Sequence, residues 1–114
     1  MSIYFTLVGC TQSVPEDKLI GGTWIGVTGY ENDKSEGAPN CYPFHDGIEF
    51  KSEEEVYNAT YQRDFKYHIR DKDIITFLDK SRSYSYQIEM MEENKIALKG
   101  LNLQEGRSCI LGRK

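Results

Sequence analysis

F-K-Y-H-I-R-D-K-D-I-I-T-F-L-D-K-S-R-S-Y-S-Y-Q-I-E-M, residues 65–90, decides the fold class. Its first six residues alternate. Phe65, Tyr67 and Ile69 point one way and Lys66, His68 and Arg70 the other, which is the two-residue period of a half-buried strand. Asp71 and Lys72 turn the chain tightly into Ile74, Ile75, Thr76, Phe77 and Leu78, a run apolar on both faces and so expected to be well covered. A second turn over 79–82 leads to Tyr84, Tyr86, Ile88 and Met90, alternating with Ser83, Ser85, Gln87 and Glu89. Turns this short cannot carry a crossover, so the three strands read as consecutive antiparallel hairpins.

The same grammar extends in both directions. Upstream lie strands at 56–62, at 47–51, where Ile48 and Phe50 share a face and Glu49 takes the other, and at 24–30, where Trp24 and Tyr30 share a face. The segment holding Asn32, Asp33, Lys34, Ser35, Gly37, Pro39 and Asn40 is loop chemistry throughout. Downstream, the turn Glu92-Glu93-Asn94 precedes a strand at 95–99, a loop at 100–106 and a last strand at 108–113. Even the Glu-rich 52–57 lacks apolar residues at helical spacing.

The expected fold is therefore all-β: a small up-and-down antiparallel barrel of about eight short strands. Closing the meander on itself removes its exposed edges. An eight-stranded ring encloses room for side chains or one small ligand, and strands this short leave only a shallow cavity.

Composition sets the outer bounds. A chain of 114 residues holds one domain. With 39% hydrophobic and 28% charged residues, it is too apolar for disorder and too polar to span a membrane. Acidic residues outnumber basic ones, 18 to 14, so the surface lacks the basic footprint that nucleic acid requires.

Gly22, Thr23 and Trp24 match the Gly-x-Trp that opens the first strand of lipocalins, and they stand at the head of an eight-stranded meander. Phe50 before an acidic turn, Tyr67 and Ile69 before Asp71-Lys72-Asp73, and Ile74 with Thr76 beyond it continue the likeness. Over 19–114 the chain resembles the small bacterial lipocalin-like lipoproteins. The resemblance implies that Trp24 packs across the closed end of the barrel beneath Arg113, a structural contact of about 0.5–2 kcal/mol. The chain is much shorter than true lipocalins and lacks their Thr-Asp-Tyr motif, which argues against a deep pocket.

Leu7, Val8, Gly9 and Cys10 resemble the bacterial lipobox, in which the Cys thiol accepts diacylglycerol before cleavage. Ile3, Tyr4, Phe5 and Leu7 then read as the tail of an apolar signal segment, and Thr11, Gln12, Ser13 and Pro15 as a polar tether. Residues 1–18 are thus a lipoprotein signal remnant and tether, and 19–114 the lipocalin-like barrel domain. No Lys or Arg precedes Cys10, so on this reading the true start lies further upstream. The competing reading is a first strand over 2–8 that ends at a buried thiol. A mature acylated terminus would be firmly anchored, at roughly 0.8 kcal/mol per buried CH₂.

If Cys10 carries lipid, Cys41 and Cys109 remain as a pair in an oxidising compartment, and their disulfide would contribute about 4 kcal/mol. The alternative is two buried free thiols. Neither has a Cys-x-x-Cys or His pair nearby, so no metal site is expected.

Candidate chemistry is otherwise sparse. Asp46 beside His45 precedes Gly47, so turn formation explains it better than a general base or a metal ligand. His68 lies between Lys66 and Arg70 on a polar strand face, and Glu53, Glu54 and Glu55 read as a solvated turn. No nucleophile, base and orienter can be assembled, so neither catalysis nor a cofactor is expected. Tyr is the informative residue. Tyr57 and Tyr61 share one expected strand face and Tyr84 and Tyr86 another, with Tyr67 on a strand between. An apolar body with a polar tip suits a ligand pocket or an interface, and equally an aromatic core.

The leading expectation is a lipid-anchored protein of the bacterial cell envelope, facing the periplasm or the surface, whose barrel holds a small apolar ligand or a partner's segment. The alternative is a solid-core interaction module, an inhibitor or assembly accessory, without a small-molecule ligand.

Overall fold

The computed structural model describes residues 14–31 and 34–114. Cys10 and the run 7–10 that resembles a lipobox lie outside the described residues. Nine strands follow one another: β1 (Trp24–Glu31), β2 (Lys34–Ser35), β3 (Ile48–Phe50), β4 (Glu55–Asn58), β5 (Arg63–Arg70), β6 (Ile74–Asp79), β7 (Arg82–Glu92), β8 (Lys95–Gly100) and β9 (Cys109–Arg113). Every pairing between these strands is antiparallel, and β3 to β9 form a simple meander. β1 pairs with β3 at Trp24 and Ile48 and with β9 from Trp24 to Gly29, which closes the ring. Eight strands make the barrel. The ninth, β2, pairs only with the far end of β1.

The ring is the up-and-down barrel that the alternation implies. Asp71, Lys72 and Lys80 adopt positive φ, the left-handed turn conformation that reverses the chain at both ends of β6. Three details differ from the sequence reading. A two-residue strand, β2, lies in the segment read as loop. β4 stops at Asn58, not at 62, because the Asn58 side chain accepts hydrogen bonds from the amides of Thr60 and Tyr61 at 2.9 and 3.2 Å and bends the chain away. Tyr61 therefore leaves the strand and does not share a face with Tyr57. The outer face of β6 is also less covered than its apolar run implies: Thr76 is buried, but Ile74 is half-buried and Leu78 is 37% exposed.

One end of the barrel is closed by Trp24, which is fully buried and donates its indole N–H to the carbonyl of Leu19 at 2.9 Å. The Arg113 guanidinium lies 4.5 Å from the indole centroid. It donates to Asn94 Oδ1 at 3.0 Å and to the carbonyls of Lys18 and Glu93, each at 2.9 Å. One arginine thus ties the N-terminal approach, the β7–β8 turn and β9 over the barrel floor.

Candidate functional site

The opposite end is governed by the connection from β2 to β3. Cys41 in this connection forms a disulfide with Cys109 of β9, across 68 residues of sequence. The approach to the barrel wall is close: a Cβ on Gly26 of β1 would meet Cys41 Sγ at 2.8 Å, so only glycine fits there. Three residues further on, Phe44 is 1% exposed, its ring 4.5 Å from that of Phe77 and 5.7 Å from that of Tyr86. The tether is short enough to deliver that ring into the barrel.

Inward-facing polar groups hold the connection in place. Tyr86 donates its hydroxyl to the carbonyl of Tyr42 at 3.0 Å, and Asn58 donates its side-chain amide to the carbonyl of Pro43 at 3.1 Å. Each is a buried polar group whose partner is the chain's own backbone. Below them Phe50 meets Tyr67 at 4.9 Å and Phe77 meets Tyr86 at 5.9 Å, so ring packs on ring through the interior.

The five tyrosines chosen from the sequence separate into different environments. Tyr57 lies half-buried on the outer face, between Glu49 and Asp64 of the flanking strands. Tyr67 is buried and donates to the carbonyl of Ser52 at 2.7 Å. Tyr86 clamps the connection. Burial pushes the Tyr67 and Tyr86 hydroxyls well above the usual tyrosine range, so both stay neutral. Tyr61 and Tyr84 meet at the rim, where they are joined by Tyr42, a residue that the sequence pattern did not single out. Tyr42 and Tyr61 share a hydrogen bond of 3.0 Å, which with burial raises the Tyr61 hydroxyl's pKa.

Arginines frame these rings. Arg63 forks onto Asp79, with Nε 2.9 Å from Oδ1, and lies 5.1 Å from the centroid of Tyr61. That guanidinium holds the Asp79 carboxyl below its usual range. Arg107 sits 4.5 Å over the ring of Tyr42. Arg82 is exposed, and among the described residues neither Arg82 nor Arg107 has a carboxylate partner. Strand parity carried a signal for part of this: Asp79 follows Ile75 and Phe77, and Arg82 precedes Tyr84 and Tyr86, at inward positions. Arg107 and Tyr42 lie on connections, where parity says nothing.

The other sequence candidates stand apart. His45 and His68 are both exposed. Lys66 pairs with Glu55 and Arg70 with Asp71 on the outer surface. The candidate site is a rim of tyrosine rings and guanidinium groups at this end of the barrel. Comparison with protein-family models, with curated proteins and with solved structures finds no match to this chain.

Proposed function

We propose that this protein is a non-catalytic, solid-core binding module that engages a partner segment through the tyrosine–arginine rim of its barrel. One observation carries the reading: Phe44, delivered by the disulfide-pinned connection, occupies the interior space where a barrel of this size would hold a ligand. The filled interior favours an interaction module over a carrier of small apolar molecules. The interior tyrosines point the same way, since Tyr67 and Tyr86 spend their hydroxyls on the chain itself.

The envelope address is part of the same proposal. A lipocalin-like lipoprotein of the bacterial envelope, held to the membrane by lipid on Cys10, would fold in a compartment where disulfides persist, and Cys41–Cys109 fits that setting. Mass spectrometry of the mature N-terminus from bacterial cells tests the anchor. A diacylglyceryl thioether on Cys10 supports it, and an unmodified thiol removes it.

Titration with N-phenyl-1-naphthylamine tests the solid core. The folded protein should show no saturable uptake of this apolar dye. Stoichiometric uptake that vanishes on unfolding would restore the carrier reading.

A further inference from the structure

Two clefts of about 470 Å³ each lie side by side on the rim. One is bounded by Tyr61, Arg63, Asp79, Lys80 and Arg82, the other by Tyr42, Arg82, Gln104 and Arg107. Ser81 and Arg82 line both, so the two form one continuous trough across the β6–β7 turn.

The trough is cationic on an acidic protein. Arg63, Lys80, Arg82 and Arg107 line it against one carboxylate, while the whole chain carries a formal charge of −4. That carboxylate, Asp79, is buried and held by the fork from Arg63. Among the described residues Lys80, Arg82 and Arg107 have no carboxylate at ion-pair distance. Arg82 has the Tyr84 hydroxyl beside it and Arg107 the ring of Tyr42, and neither neighbour cancels a charge. Three uncompensated cations crowded together repel one another, a cost that a bound anion removes.

Length and position select among anions. Arg63 opens β5 and Arg107 leads into β9, four strands further round the ring. With strands about 4.8 Å apart on a curved wall, the cations spread over roughly 15 Å, about four residues of extended chain and beyond the reach of one phosphate. The chain enters at the opposite end. Val14 donates its N–H to the carbonyl of Lys72 in the β5–β6 turn at 3.1 Å, and Arg113 ties Lys18 to the floor. Only three residues separate Cys10 from Val14, so lipid on Cys10 would turn the floor to the membrane and the rim away from it. Headgroups of that membrane are then out of reach. A long polyanion such as nucleic acid is repelled by the acidic remainder of the surface.

We propose that the trough binds an acidic segment of a partner polypeptide, lying extended across the β6–β7 turn. Its carboxylates accept hydrogen bonds from the Arg82 and Arg107 guanidinium groups and the Lys80 ammonium, and its carbon atoms lie on the rings of Tyr42 and Tyr61. Arg63 stays with Asp79 and braces the wall.

The inference rests on the rim-binding reading and names the partner's chemistry. The test is an amide-resolved NMR titration of the full chain with a capped pentapeptide of three glutamates and two serines. Its twin with glutamine for glutamate, inorganic phosphate, a single-stranded oligonucleotide and phosphatidylglycerol vesicles run beside it. The acidic peptide should give saturable shifts at Lys80, Ser81, Arg82 and Arg107, weakened several-fold as salt rises from about 50 to about 200 mM. The glutamine twin should bind roughly tenfold more weakly, as three exposed ion pairs require. Arg82→Gln and Arg107→Gln should each weaken the acidic peptide about two- to fourfold, and the spectra themselves report whether each variant is folded. Lys66→Gln, which removes the same charge from the outer wall, should change nothing. Equal losses in Lys66→Gln and Arg82→Gln would mean attraction to net charge alone and overturn the site. An absence of saturable shifts, or equal binding of the glutamine twin, overturns the acidic partner. Tighter binding of phosphate, oligonucleotide or vesicles overturns a polypeptide as the occupant. The apolar-dye titration decides the solid core separately, and a rim that takes the uncharged twin equally well keeps the rim reading while losing its acidic partner.

Discussion

Replacing Phe44 with alanine separates a filled barrel from an open one. The ring is 1% exposed and in contact with Phe77 and Tyr86, so its removal loses both the transfer free energy and the packing of a fully buried aromatic. Such truncations cost about 3–5 kcal/mol. For a domain of this length that is a large share of a total of roughly 5–15 kcal/mol, and it corresponds to a fall in Tm of roughly 15–25 °C. The Cys41–Cys109 bridge keeps the connection tethered, so the variant should still fold with an apolar cavity beside Phe77 and Tyr86. Apolar cavities of about 150 Å³ stay dry and accept benzene. At ten times its Kd, benzene should return about 1.4 kcal/mol to the variant and nothing to the parent, read as a rise in Tm. The reasoning fails if Phe44→Ala costs under about 1 kcal/mol, well below the range for a buried ring. It fails equally if benzene stabilises the unmutated protein, because the interior would then already have room.

Three further outcomes follow from the geometry. Cys41→Ser and Cys109→Ser should each lower stability by about 4 kcal/mol in urea melts under oxidising conditions, and the double variant should be no worse than either single one. Asp79→Asn should be less stable at neutral pH and less sensitive to acid. Because Arg63 depresses the native Asp79 carboxyl, the stability it confers is complete above the unfolded value of about 3.9 and is lost as pH falls through the lower native value. Parent and variant curves of Tm against pH should therefore converge well below about pH 4. Arg113→Lys keeps a cation over Trp24 but cannot reproduce the fork to Asn94, Lys18 and Glu93. Thermal melts should show it losing about 1–3 kcal/mol, which equal stability would contradict.

The fold class was legible because residues 65–90 keep strict parity through three strands, and every inward aromatic there lies in the core. Legibility ended where local pattern yields to a side chain acting across a turn. Tyr61 extends the apolar alternation of β4, yet Asn58 captures the next amides and ends the strand, an override that period alone does not reveal. The connection holding Cys41, Tyr42 and Phe44 falls between expected strands, where alternation carries no information. Its entry into the barrel depends on a disulfide partner 68 residues away and on a missing Cβ in β1. The candidate site was legible only in part for the same reason. Tyr61 and Tyr84 stood out as tyrosines on expected strands, whereas Tyr42, Gln104 and Arg107 come to the rim from connections.

The seam between β1 and β9 also fixes when the molecule can exist. During synthesis β8 is made before its outer neighbour, so β1 and β8 both wait with bare hydrogen-bonding borders, and Cys41 waits without its partner Cys109. Pairing the earliest and latest segments is a slow, non-local step. Unfinished borders meanwhile recruit strands from other molecules. A chain cut short before Cys109 is therefore an aggregating species, not a smaller version of the working protein.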